Sequence, residues 1–241
     1  MVDNAPAHIA QRRIPRMRRP HLSRARALLV LAGVSLLSAC AVLHGFARQQ
    51  DRRYASVAPG IYAIDPRHCS VIFSVDHLGF SQFTMRFDRV SGRLVWPPEG
   101  IAHARVLARV DTASIDTNDA ALDAELRGPS MLDSARRAHI DWNASGWRPT
   151  GRDRGDLPGV LTLGRSRAPL VLRVRFNGYG IDAVTGAPTL GFSARGTFSR
   201  AQLGLRAWPG FIGDTVHVRI EAEFVRARGS TVPGTSFRQG P

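Results

Sequence analysis

The chain has 241 residues and a net charge of +14 at pH 7, and it contains no lysine. Without a lysine amine, neither Schiff-base catalysis nor a Walker phosphate loop can be built. Nor does the charge mark a nucleic-acid partner: much of it sits in the first fifty or so residues, and farther on arginines alternate with apolar residues instead of gathering beside stacking aromatics.

The N-terminal stretch carries Arg12, Arg13, Arg16, Arg18, Arg19, Arg24 and Arg26, followed by the apolar run ALLVLAGVSLLSACAVL at residues 27–43. A positive flank, an apolar centre and small residues near its end make an export signal. Leu37, Ser38, Ala39 and Cys40 resemble the lipobox of bacterial lipoproteins, in which the cysteine is acylated. Cys40 is therefore the expected lipidation site, and residues 1–40 the signal segment. An uncleaved membrane anchor and an ordinary cleaved signal are the alternatives, since the run is close to the roughly 17-residue minimum for a span. A start at Met17 gives the signal ordinary proportions. Both the lipoprotein and the anchor place the following domain outside the cytoplasm and tether it to a membrane through the N-terminus. Residues 41–58 read as a linker.

From Gly60 onward, period-two alternation dominates. Val71, Phe73 and Val75 share one face, and after HLGF the pattern resumes at Phe83, Met85 and Phe87; two such runs around a glycine predict a hairpin. His77 stands where the alternation calls for an apolar residue. The pattern returns at Ala102, Ala104, Val106, Ala108 and Val110. It recurs at Leu170, Leu172, Val174 and Phe176, at Leu190, Phe192, Ala194 and Phe198, and at Val216, Val218, Ile220, Ala222 and Phe224. One helix interrupts it, over NDAALDAELRG, with Asn118 as N-cap, Leu122 and Leu126 at helical spacing, and Gly128 as stop. Residues 148–156 read as a polar loop, and residues 228–241 as a disordered tail. One-sided antiparallel strands in this number must curl to bury their apolar faces, which predicts an all-β barrel or sandwich. Recurrent Ala and Gly on the apolar face either leave interior space or match large neighbours.

These segments resemble the YceI family of bacterial periplasmic proteins. The likeness is carried by GIYAIDPRHCSVIFSVDHLGFSQFTMRF (residues 60–87), ASIDTNDAALDAELRG (113–128), PGVLTL (158–163), APLVLRVRFNG (168–178), GFSARGTFSRAQLGL (191–205) and GDTVHVRIEAEF (213–224). It departs at Cys69, where Ser or Thr is usual, at ELRGPSMLD, and at LGRSRAPL. The resemblance implies an antiparallel lipocalin-like β-barrel of about eight strands with one short helix, over residues 59–227. It also implies binding of a polyisoprenoid or another long amphiphile.

The leading expectation is a non-enzymatic periplasmic carrier of an isoprenoid or fatty amphiphile, with no cofactor, no metal and no nucleic-acid partner; a homodimer stays open. The expected ligand-binding residues are Phe73, Val75, His77, Phe83, Met85, Phe87, Trp142, Phe176, Phe192 and Phe198. A lipid-independent envelope scaffold or stress protein is the alternative. A hydrolytic enzyme would need His77 paired with Asp76, Asp116 or His68, and no nucleophile motif stands beside them. Cys69 reads as a packed free thiol, because no orienting group is evident near it.

Overall fold

The computed structural model describes residues 50–227. The signal segment, Cys40, most of the expected linker and the tail from residue 228 lie outside the described residues. Eleven strands form: β1 (Gly60–His77), β2 (Ser81–Phe87), β3 (Val90–Trp96), β4 (Arg105–Asp111), β5 (Ile115–Asp116), β6 (His139–Ser145), β7 (Arg148–Pro149), β8 (Arg154–Leu163), β9 (Ser166–Ile181), β10 (Pro188–Ser199) and β11 (Ile212–Arg226). One helix, α1 (Ala120–Arg127), joins them. The strands run in the order β11, β10, β9, β8, β6, β4, β3, β1, and β1 pairs back onto β11. The described residues thus form a closed antiparallel barrel of eight strands, as the family likeness implies; of the barrel and the sandwich that the alternation left open, the barrel is the one that forms.

β1 serves two neighbours on one edge: Gly60–Ala63 pairs with β3, and Val71–His77 pairs with β2. The switch is made by a large bulge. Ile64 faces Phe224 and Cys69 faces Ala222, so that four residues of β1 stand opposite one of β11. Pro66 lacks a backbone donor, and the Asp65 carboxylate fixes the turn by accepting from the Arg67 amide at 3.0 Å, the Arg67 guanidinium and His68 Nδ1 at 3.1 Å. These bonds hold the Asp65 carboxyl well below the usual carboxylate range. The bulge also rephases the strand: Ile64 and then Cys69, Val71, Phe73 and Val75 all face the interior, although five regular steps separate Ile64 from Cys69.

α1 differs from expectation by one residue at its start. Asp119, not Asn118, is the N-cap, accepting from the amides of Ala121 at 2.9 Å and Leu122 at 3.3 Å. Asn118 instead takes a left-handed conformation with φ 66°. Gly128 closes the helix as predicted. Leu122 and Leu126, with Met131 and Leu132 beyond the helix, turn inward.

Three other expectations are corrected. Ala102 lies in a short 3-10 turn (Ile101–His103), so the strand begins at Arg105 and Ala102 is exposed. Residues 148–156 are not simply a loop, because Arg148 pairs with Asp156 and Pro149 with Gly155. The last part of the expected linker packs on the barrel: Asp51 bridges Tyr179, and Val57 is buried.

One end of the barrel is filled. Tyr62, Trp96, Phe176 and Leu190 are fully buried there, with Phe224, Leu94 and Val57 around them. The Tyr62 hydroxyl donates to the Ala58 carbonyl at 2.7 Å, which ties the incoming chain to this floor. Along the wall the Trp142 indole packs against β8, where Gly159 leaves room for it. A Cβ at Gly159 would overlap Nε1 and Cε2 of the indole and come within 2.9 Å of the Ala144 methyl. Gly159→Ala is therefore expected to destabilise the fold by about 1–3 kcal/mol, seen as a lowered urea midpoint, whereas Ala at Gly180, where an added Cβ meets open space, should leave the midpoint nearly unchanged.

An apolar cavity as the candidate functional site

The alternating faces of the strands meet in a cavity of about 660 Å³ that runs from the floor to the opposite end. Its wall is built from cross-strand rungs: Val75 lies opposite both Phe83 and Val216, Phe73 opposite Met85 and Val218, and Val71 opposite Phe87 and Ile220. β10 continues them, with Ala194 beside Ile220 and Phe192 beside Ala222. Phe73 and Phe87 stack with centroids 5.0 Å apart. Apart from Cys69, His77 and Arg200, every lining side chain is apolar or aromatic. Small residues at Ala104, Ala108, Ala194 and Ala222 keep the cavity open, because side chains of Leu or Phe size there would fill it.

Of the lining residues, only His77 and Phe211 are exposed, which places the mouth between the β1–β2 turn and the connection from β10 to β11. The backbone amide of Leu78 donates to the Phe211 carbonyl at 3.1 Å and ties these two segments together.

Nine of the ten residues singled out in the sequence stand on this wall: Phe73, Val75, His77, Phe83, Met85, Phe87, Trp142, Phe192 and Phe198. Phe176 does not. It belongs to the floor, fully buried against Tyr54 and Phe192 with ring centroids 5.2 and 5.3 Å away. Alternation gives the face of a residue but not its depth along the barrel axis, and Phe176 sits too deep. The pairs that a His77-dependent enzyme would need are not brought together. Asp76 accepts from the Gly79 amide at 2.9 Å, and Asp116 accepts from Arg86 Nε at 3.0 Å. His68 is in the bulge, nine residues or about 30 Å of strand from His77, beside Asp65 and Glu223.

Arg200 carries no signal in the alternation, yet it organises the mouth. Only 8% exposed, its guanidinium donates to four carbonyls: Gly213 from Nε at 2.9 Å, Leu205 and Ala207 from Nη1 at 2.8 Å, and Ile212 from Nη2 at 2.8 Å. One side chain thereby satisfies four carbonyls of the loop that would otherwise be left without a donor.

Cys69 is half-buried on the wall, and burial pushes its thiol from an ordinary 9.0 up to about 11. Burial likewise raises Tyr54 and Tyr62 to about 12. Near the floor the Tyr54 hydroxyl and Trp147 Nε1 are buried without a protein partner. Of the two residues, Trp147 lines the cavity and Tyr54 lies behind its wall.

A sequence model described as the YceI-like domain matches residues 62–224, which is more than half of the chain. The chain belongs to the YceI family. Its relatives include a UPF0312 protein of Vibrio cholerae, 32% identical over 123 residues, which cover 50% of this chain and 65% of that protein. A UPF0312 protein of Ectopseudomonas mendocina is 28% identical over 167 residues, covering 68% of this chain and 87% of that one. The match thus spans less than two thirds of the Vibrio relative. Among solved structures, BcnA of Burkholderia cenocepacia has the same fold, with a TM-score of 0.59, 16% identity, and coverage of 66% of this chain and 98% of that chain. A domain from Saccharophagus degradans, described as polyisoprenoid binding and implicated in plant cell wall breakdown, superposes with a TM-score of 0.53 at 15% identity, covering 69% of this chain and 98% of that one.

Two outcomes follow for this member of the YceI family. Arg200→Leu leaves four carbonyls without their donor and should lower the unfolding free energy by at least about 3 kcal/mol, with new protease cleavage between residues 200 and 213. Arg200→Lys should recover only part of the loss. As for pH, the fold retains protons on Cys69, Tyr54 and Tyr62 where the unfolded chain gives them up. Stability should therefore fall as pH rises from about 9 toward 12, read as a falling urea midpoint, with Cys69→Ala removing the earliest part of the decline.

Proposed function

We propose that this YceI-family protein is a membrane-tethered, extracytoplasmic binding protein that sequesters or carries an isoprenoid or other long-chain amphiphile. The observation that carries the reading is the one-ended apolar cavity of about 660 Å³, a size typical of a site for a single ligand. A hydrocarbon chain leaving water for such a wall gains on the order of 0.8 kcal/mol per methylene, so ten methylenes provide roughly 8 kcal/mol before ordering costs. Useful affinity then needs few polar contacts. The apolar walls suit the tail, and the basic side chains of the wall, His77 and Arg200, lie toward the mouth, where a polar end would sit. The polyisoprenoid-binding description of the Saccharophagus domain, which shares the fold, supports the same ligand class. The basic flank, the apolar run and the lipobox-like Leu37 to Cys40 support export and tethering.

Native mass spectrometry of the chain purified from membranes should show one long-chain lipid per barrel. Ala108→Trp combined with Ala194→Trp should fill the cavity and lower the loaded fraction at least about tenfold while the fold persists. Loading should also shield Cys69 from alkylation. A barrel that emerges empty and then takes up neither a polyprenyl phosphate nor a fatty acid overturns the proposal in favour of a lipid-independent envelope protein.

A further inference from the structure

The mouth is collared by large apolar side chains that face water. Leu78 is 45% exposed, Phe80 87% and Phe211 62%, and Phe80 and Phe211 are the exposed phenylalanines among the described residues. They come from the two segments that the Leu78–Phe211 backbone bond joins, so they form one rim and not scattered surface positions. Phe211 belongs to that rim and to the cavity wall at once, which makes the outer apolar surface continuous with the inner one.

The backbone of the rim is held in conformations that these residues disfavour. Leu78 and Trp208 both have φ 55°, in the left-handed region that suits Gly or Asn. In the β1–β2 turn, where the Phe80 amide donates to the His77 carbonyl at 3.0 Å, Leu78 and Gly79 both have positive φ. Such a turn is least strained with Asn before the Gly, yet this one holds Leu and turns Leu and Phe toward solvent. Across the mouth, the loop bearing Phe211 is held by Arg200. The rim is therefore a built, ordered feature, and it exposes hydrocarbon where a polar turn would be less strained.

We propose that this rim, Leu78, Phe80 and Phe211, docks the mouth onto a lipid bilayer surface, its side chains entering the interface so that an amphiphile passes between membrane and cavity without crossing water. The inference rests on the reading that the cavity holds such a ligand. Continuity of the rim with the wall selects a bilayer over a protein partner: a chain sliding from one to the other meets apolar surface throughout, and the aqueous step that would limit its transfer is removed.

The test uses the full chain with Cys40→Ser and Cys69→Ser, carrying a single cysteine labelled with acrylodan. The label replaces either Phe80 or Val184, which is 93% exposed in the β9–β10 loop at the floor end. On addition of phosphatidylethanolamine–phosphatidylglycerol vesicles, the label at 80 should shift to the blue and become protected from iodide, while the label at 184 stays aqueous. A label at 80 that stays aqueous while the protein sediments with the vesicles, or equal responses at both positions, overturns the proposal. In a second arm, Leu78→Asn with Phe80→Ser should slow uptake of a fluorescent polyprenyl phosphate from vesicles about tenfold and leave uptake from detergent micelles unchanged. Neither residue is on the cavity wall, and Asn relieves the backbone at 78, so the variant is expected to fold. Equal rates from vesicles overturn docking. If the unaltered chain takes up lipid by neither route, the carrier reading fails, and the environment of position 80 still decides whether the rim meets the bilayer.

Discussion

Pairing of β1 with β11 turns a curled sheet into a closed wall, and the cavity, its floor and its mouth all depend on that closure. A single strand could not make it while remaining regular. β1 has to pair with β3 near the floor and with β2 near the mouth, and the bulge held by Asp65 lets it do both. The same bulge corrects the phase of the side chains. Without it, the run from Cys69 to Val75 would turn its apolar face to water and its polar face, with Ser74 and Asp76, into the barrel.

Closure alone gives a barrel, and barrels of this size are commonly filled by their own side chains. This one is filled at one end only. Tyr62, Trp96, Phe176 and Leu190 occupy the floor, whereas Ala104, Ala108, Ala194 and Ala222 face the space above it. An empty apolar space forfeits the dispersion contacts that close packing would supply. A hydrocarbon guest would restore them, and stability and occupancy would then be coupled through the same wall.

Much of this was legible in the sequence because a half-buried strand repeats every two residues, and the ordered family-like segments implied a barrel. The inward faces of β2, β9, β10 and β11 were readable residue by residue, as were the β1–β2 hairpin and the Gly128 stop. Features set by contacts distant in sequence were not. The phase change in β1 depends on how β11 lies beside it, and the depth of Phe176 depends on which aromatics share its level. Asp119 takes the cap from Asn118 because Thr117 accepts from the Asp119 amide at 3.2 Å and bonds Asp123 at 2.7 Å, drawing the turn one residue onward. Arg200 was invisible because arginine ordinarily reads as surface, and only the fold shows the four carbonyls around it.

The chain enters the barrel at its base. Asp51 is bonded to Tyr179, and the 3-10 turn Tyr54–Ser56 leads into the floor, at the end opposite His77. Because that end is closed by the incoming chain and the aromatic floor, any guest of the cavity would enter and leave by the opposite opening. Loading and release would then share one route, and the barrel would work as a cup and not as a pipe.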